Sequence, residues 1–141
     1  MAKKKWSNRK KAIMSCIGVV VAVGLFFGGR MVMGFVNYQQ IISGIEISTP
    51  NLNQIPDGTY NGFLDAIQIS ADVSVTVKDH RITEIVIINH YMGRSSAVAA
   101  ESVIIDVVDN QSLEVDAVSG ATNSSKVILK AVQNALESGI D

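Results

Sequence analysis

The residues best placed to do chemistry lie in one run of ten, DAVSGATNSS at positions 116–125. Four hydroxyls, Ser119, Thr122, Ser124 and Ser125, crowd one turn around Gly120, whose missing Cβ admits a positive φ. An apolar stripe at helical spacing follows, so the run marks a helix N-terminus. Unpaired N–H groups and the helix dipole make such an end a seat for an anion or a phosphate. A second reading is equally concrete: Ser, Thr and Asn ahead of an apolar stripe are what an N-cap looks like. Composition alone does not separate the two.

Other reactive groups are scarce. Cys16 is the single cysteine, which excludes a disulfide framework and any CxxC redox or thiolate–zinc site. His80 and His90 are the two histidines, too few for a histidine metal cluster. The acidic residues Asp106, Asp109, Glu114 and Asp116 lack the spacing of a calcium loop. No GxGxxG, P-loop, GxSxG or HExxH occurs. No catalytic residue and no metal site is therefore expected.

The charges are segregated. Twelve Lys+Arg nearly balance 13 Asp+Glu over 141 residues, yet residues 1–11 hold six cations and no anion. From residue 46 onward 13 acidic residues face five basic ones, a formal balance of −8. An acidic globular part argues against nucleic-acid binding, which needs a cationic face to displace counterions.

The elements that must position the motif follow from patterning. Residues 12–29 are uncharged, and the apolar character resumes after Arg30 as far as Val36. As helix, residues 12–29 measure about 27 Å and the whole run 12–36 about 37 Å, against a hydrocarbon core of about 30 Å. One transmembrane helix is expected over 12–36, with Arg30 snorkelling toward the outer headgroups and Trp6 and Tyr38 flanking as interfacial aromatics. The basic arm, 1–11, stays cytoplasmic by the positive-inside rule, which places the C-terminal part outside the cell membrane. A cleaved signal peptide is the rival; the run is long for one, and no AxA-type site follows. Cys16 is no lipoprotein anchor, because the apolar stretch follows it instead of preceding it. Gly24 and Gly28 form a GxxxG, either a helix-dimer face or a chance of a glycine-rich span.

Residues 37–56 read as a juxtamembrane linker broken by Pro50 and Pro56, and 57–141 as the folded domain. In that domain a turn at 57–63 opens a strand, and residues 67–77 alternate strongly, with Val73, Val75 and Val77 on one face. Lys78-Asp79-His80 turns the chain into a second β-branched run over 81–89. Its successive Ile85, Val86, Ile87 and Ile88 predict cover on both faces. A helix is expected over 94–109, a short strand at 113–115, and a closing helix striped by Val127, Ile128, Ala131, Val132, Ala135 and Leu136. Lys126, Lys130, Gln133, Asn134 and Glu137 form its polar face, and Gly139 terminates it. The sum is an α+β class, a small antiparallel sheet packed with two helices, preceded by the transmembrane helix.

Asp116-Ala-Val-Ser119-Gly120-Ala121-Thr122 resembles the flavinylation motif of the FMN-binding domain family. That family includes flavin-carrying subunits of the sodium-pumping NADH:quinone reductase and the Rnf electron-transport complex, and small membrane-anchored domains of bacterial surfaces. The likeness extends over roughly 55–138: Asp57-Gly58-Thr59-Tyr60-x-Gly62 is similar to its opening strand, VSVTVKD with RITEIVI to its central hairpin, and SSKVILKAVQNAL to its closing helix. The resemblance implies FMN held by a phosphoester to Thr122, installed from FAD by a separate magnesium-dependent flavin transferase that releases AMP. It implies that Asp116, Ser119, Gly120 and Ala121 shape the turn and are read by that transferase. An electron carrier between a membrane donor and an external acceptor is then expected. The alternatives are a flavin-free surface binding or structural module, and a small FMN-dependent reductase, for which Arg94 is the one suggestive cation. The stretch His90-Tyr91-Met92-Gly93-Arg94 departs from the Glu-Thr-Pro-Gly loop of the larger subunits. It reads as a surface loop, with Tyr91 or Met92 as alternative ring contacts and His90 as a capping residue. His80 stands where that turn usually carries Gly.

Overall fold

The computed structural model describes residues 8–92, 100 and 102–140. Two compact units divide the chain, Met1–Asn37 and Tyr38–Asp141. The first consists of the long helix α1, Asn8–Ser43, whose last residues belong to the second unit. Over Lys10–Ser43 it is long and apolar enough to cross a membrane. From Lys10 to Phe35 its side chains are largely exposed, which suits a lipid surround and not an aqueous one.

In the second unit the expected α+β architecture is present. Three antiparallel strands, β1 (Gly58–Asp65), β2 (Ile69–Lys78) and β3 (Arg81–Met92), form a sheet in the order β1-β2-β3. Strict alternation puts Ile69, Ala71, Val73, Val75 and Val77 of β2 on one buried face, as the period of two requires. The helices α2 (Val103–Asn110) and α3 (Thr122–Glu137) cover that face. Among the described residues no helix covers the sheet's other face. Ile85 is buried while Val86 and Ile88 are exposed, so β3 is covered on one side and not on both as its apolar run predicts. A register shift between Asp72 and Val73 of β2 leaves Ile88 of β3 without a cross-strand partner on β2.

Four further expectations change. Residues 113–115 form no strand; Leu113 is instead a buried plug. Tyr91 and Met92, expected in a loop, continue β3 opposite Ser70 and Ile69. Gln133, expected on the polar face of α3, is buried and bonds Ser48 and Glu137 through its amide. Gly139 has no left-handed φ; a Cβ there would meet the Tyr60 ring at 2.8 Å and Ile55 Cγ2 at 2.9 Å, so packing excludes a side chain. The helix expected over 94–109 is described from Val103, and its earlier part lies mainly outside the described residues.

Within the stretch 37–56, expected as linker, residues from Tyr38 onward contribute to the core of this unit. Tyr38, Ile42 and Ile55 are buried, and residues 44–57 lie over α3 as a strap. Ser48 N–H donates to Gln133 Oε1 at 3.2 Å, and Lys130 Nζ donates to the Glu46 carbonyl at 3.3 Å. Thr49 Oγ1 accepts from Leu113 N–H at 2.8 Å, tying the strap to the chain that leads into α3. The closing helix is thus enclosed by the sheet on one side and the strap on the other.

Candidate functional site

The site is the turn that delivers the chain into α3. Ala121 N–H donates to the Val118 carbonyl at 2.9 Å, closing a four-residue turn with Ser119 and Gly120 at its centre. Gly120 has φ +80°, the value a type II turn demands of its third residue. A Cβ on Gly120 would touch nothing within 4 Å, so conformation and not space selects glycine here.

Ser125 holds this turn shut. Its buried Oγ accepts from Val118 N–H and donates to the Ala121 carbonyl, both at 3.1 Å, bracing the two ends of the loop. Ser124 is buried as well. Of the four hydroxyls that crowd the motif in sequence, only those of Ser119 and Thr122 therefore reach solvent. A second brace comes from the neighbouring residue. Asn123 Nδ2 donates to Tyr38 Oη at 3.0 Å, and Tyr38 is 7% exposed. Tyr38 thus packs in the core of the folded unit and is not an interfacial belt residue; Trp6 lies outside the described residues. Sequence pattern carried no signal for Tyr38, and the helical period alone points Ser125 inward.

Thr122 is the first residue of α3 and is exposed. The helix begins at Ala121 without any side-chain cap, so the motif does not act as the N-cap its composition allows. Among the described residues no side chain accepts from the first-turn N–H groups, which leaves the positive end of the helix dipole available to an anion. Asp116, exposed six residues earlier, borders an open groove of about 470 Å³ with Asp106, Asn110, Glu114 and Val115. That groove repels an anion, whereas the turn beside it attracts one. Among the described residues no group of three His, Cys, Asp or Glu side chains stands ready for a metal.

A model of the FMN-binding domain family matches residues 62–137, more than half of the chain. The chain belongs to that family. Searches of curated proteins and of solved structures find no match. The matched stretch opens at Gly62 within β1 and ends with α3, so it contains the second half of β1, the rest of the sheet, both helices and the whole 116–122 motif. FMN is accordingly this domain's cofactor. The chemistry of the site fits its phosphate: an exposed hydroxyl on Thr122, a second on Ser119, and an uncapped helix N-terminus.

The remaining candidates are dispersed. Asp116, Ser119, Gly120, Ala121 and Thr122 share one segment, with Ala121 alone buried. Tyr91 is exposed on the open face of the sheet, opposite Ser70. His90 is half-buried opposite Ala71, and His80 is exposed in the hairpin turn. Gly93 and Arg94 lie outside the described residues.

Proposed function

We propose that this FMN-binding domain carries FMN through a phosphoester on Thr122 and works as a membrane-anchored electron carrier. The observation that carries the reading is the position of Thr122: an exposed hydroxyl on an uncapped helix N-terminus, immediately after a braced type II turn. In the linking step the Thr122 oxygen forms a P–O bond to the FMN phosphoryl group of FAD. The pyrophosphate bond breaks, AMP leaves, and the hydroxyl proton is lost. The resulting diester retains one negative charge, which the first-turn N–H groups of α3 favour. A separate flavin transferase performs the step, reading Asp116, Ser119, Gly120 and Ala121.

When bound, the flavin supplies reversible oxidation and reduction. The protein's own task is to hold the tether rigid, through Ser125 inside the turn and Tyr38 on Asn123. Helix α1 anchors the chain in the membrane, with the basic arm at the cytoplasmic surface and the domain outside. There a covalent link prevents loss of a cofactor that would otherwise diffuse away. Electrons pass from a membrane donor through the flavin to an external acceptor.

The test is the intact mass of the full chain co-expressed with a flavin transferase. Wild type gains the mass of FMN minus water, Thr122→Ser retains the gain, and Thr122→Ala shows none. Equal flavin on wild type and Thr122→Ala would sink the assignment. An unmodified mass in all three overturns covalent attachment at Thr122.

A further inference from the structure

The span of α1 is framed by charge. Lys11 and Arg30 bracket 18 uncharged residues, and the helix carries no ionisable side chain other than Cys16 between them. Nineteen residues of helical rise separate the two cations by about 29 Å, close to the roughly 30 Å of a hydrocarbon core. Both cations then stand at the edges of that core. The next helical turn, about 5.4 Å further on, rises into the polar layer that thickens a bilayer to about 40–45 Å overall.

That turn holds a notch. Arg30, Met33, Gly34 and Asn37 stand at i, i+3, i+4 and i+7, on one helix face, and line a concavity of about 220 Å³. Gly34 forms its floor, and a Cβ there would meet nothing within 4 Å. A guanidinium and a carboxamide are the polar groups of the wall, both able to donate hydrogen bonds, with the Met33 thioether beside them. No acidic residue occurs in α1.

We propose that this notch binds the phosphate of a phospholipid in the leaflet at the C-terminal end of the span. The inference rests on α1 crossing a bilayer, and on nothing about the flavin. Arg30 pairs with the phosphodiester, whose planar pairing geometry suits a guanidinium, and Asn37 donates from above. Gly34 leaves room for the headgroup against the helix backbone, with Met33 beside it. The occupant is a lipid and not free phosphate, because the level of the notch coincides with the headgroup layer.

The full chain is reconstituted in nanodiscs of phosphatidylglycerol and phosphatidylethanolamine and examined by native mass spectrometry for retained lipid. Wild type is expected to retain one phospholipid. Arg30→Gln is expected to lower retention about tenfold, through loss of one charge-assisted bond, and Gly34→Leu to lower it similarly by filling the space the headgroup needs. Gly34→Leu keeps both donors and fills the floor, and leucine favours helix, so its effect reports the notch and not misfolding. Gln39→Ala, off this face, retains the lipid. Carbonate extraction separates the two ways of failing. A chain released by carbonate overturns the spanning reading and this proposal with it. A carbonate-resistant chain that retains lipid equally in wild type, Arg30→Gln and Gly34→Leu overturns the notch alone, as does displacement of the lipid by millimolar inorganic phosphate.

Discussion

Gly62 is the position where the smallest substitution should do most harm. It lies buried in β1, where α3 crosses the sheet most closely. A Cβ built there would sit 2.0 Å from the Ala131 carbonyl oxygen, 2.5 Å from Ala135 N and 2.8 Å from Ala135 Cβ. Carbon–oxygen contacts normally begin near about 3.3 Å, so the shortfall is about 1.3 Å. The atoms met are mostly backbone, and no rotamer change relieves them. The helix must retreat as a body, which also stretches the 2.9 Å bond from Asn134 Nδ2 to the Phe63 carbonyl. Overpacking costs about 1–3 kcal/mol, here at the upper end, and the strained hydrogen bond adds about 1 kcal/mol. Gly62→Ala should therefore destabilise the domain by about 3–4 kcal/mol, raising the unfolded population more than about 100-fold. Native-state hydrogen exchange of the full chain in detergent, read at the slowest amides of β2 and α3, measures this directly. Ala135→Gly in the same chain removes only the 2.8 Å contact and should restore a minority of the loss. A Gly62→Ala protein within about 0.5 kcal/mol of wild type would refute the close-approach argument.

Two further outcomes test the hairpin and the sheet edge. Asp79 and His80 both occupy left-handed backbone, at φ 51° and 59°, as a two-residue type I′ turn requires. His80→Gly should stabilise the domain by about 1 kcal/mol, seen as a rise in the denaturation midpoint; an unchanged or lower midpoint contradicts the strain. Gln111 uses its side chain as an extra strand residue: Oε1 accepts from Ile82 N–H and Nε2 donates to the Ile82 carbonyl, both at 2.8 Å. Gln111→Ala should cost about 2–3 kcal/mol and accelerate exchange of the Ile82 amide in particular; uniform acceleration across β3 would argue against that bridge.

Much of this protein was legible in its residue order. The uncharged run of α1, the alternation of Val73, Val75 and Val77, and the stripe of α3 are local periodicities, and one-dimensional patterns report them well. The 116–122 motif was equally plain, and the family match agrees with the resemblance it suggested. Where reading failed, the deciding contact was distant in sequence. The apolar succession from Ile85 to Ile88 cannot reveal that the described helices lie on one face of the sheet and leave Val86 and Ile88 exposed. Gln133 looks solvent-facing until Ser48, 85 residues away, is brought over it.

By itself, then, the sequence determined that an apolar helix precedes an acidic α+β domain and that a hydroxyl-rich glycine turn opens its last helix. Those features depend on neighbours within a few residues, where period and turn chemistry act. Only the tertiary structure decided which hydroxyls are available. Ser124 and Ser125 turn inward with the buried side of α3, Ser125 closes the turn, and Tyr38 reaches across 85 residues to hold Asn123. The same packing explains two glycines that local rules assign to flexibility: Gly62 yields to the backbone of α3, and Gly139 to Tyr60 and Ile55. Thr122 is left as an exposed residue on a helix end whose N-cap, Ala121, offers no capping side chain, while Ser124 and Ser125 are buried and Asn123 is bonded to Tyr38.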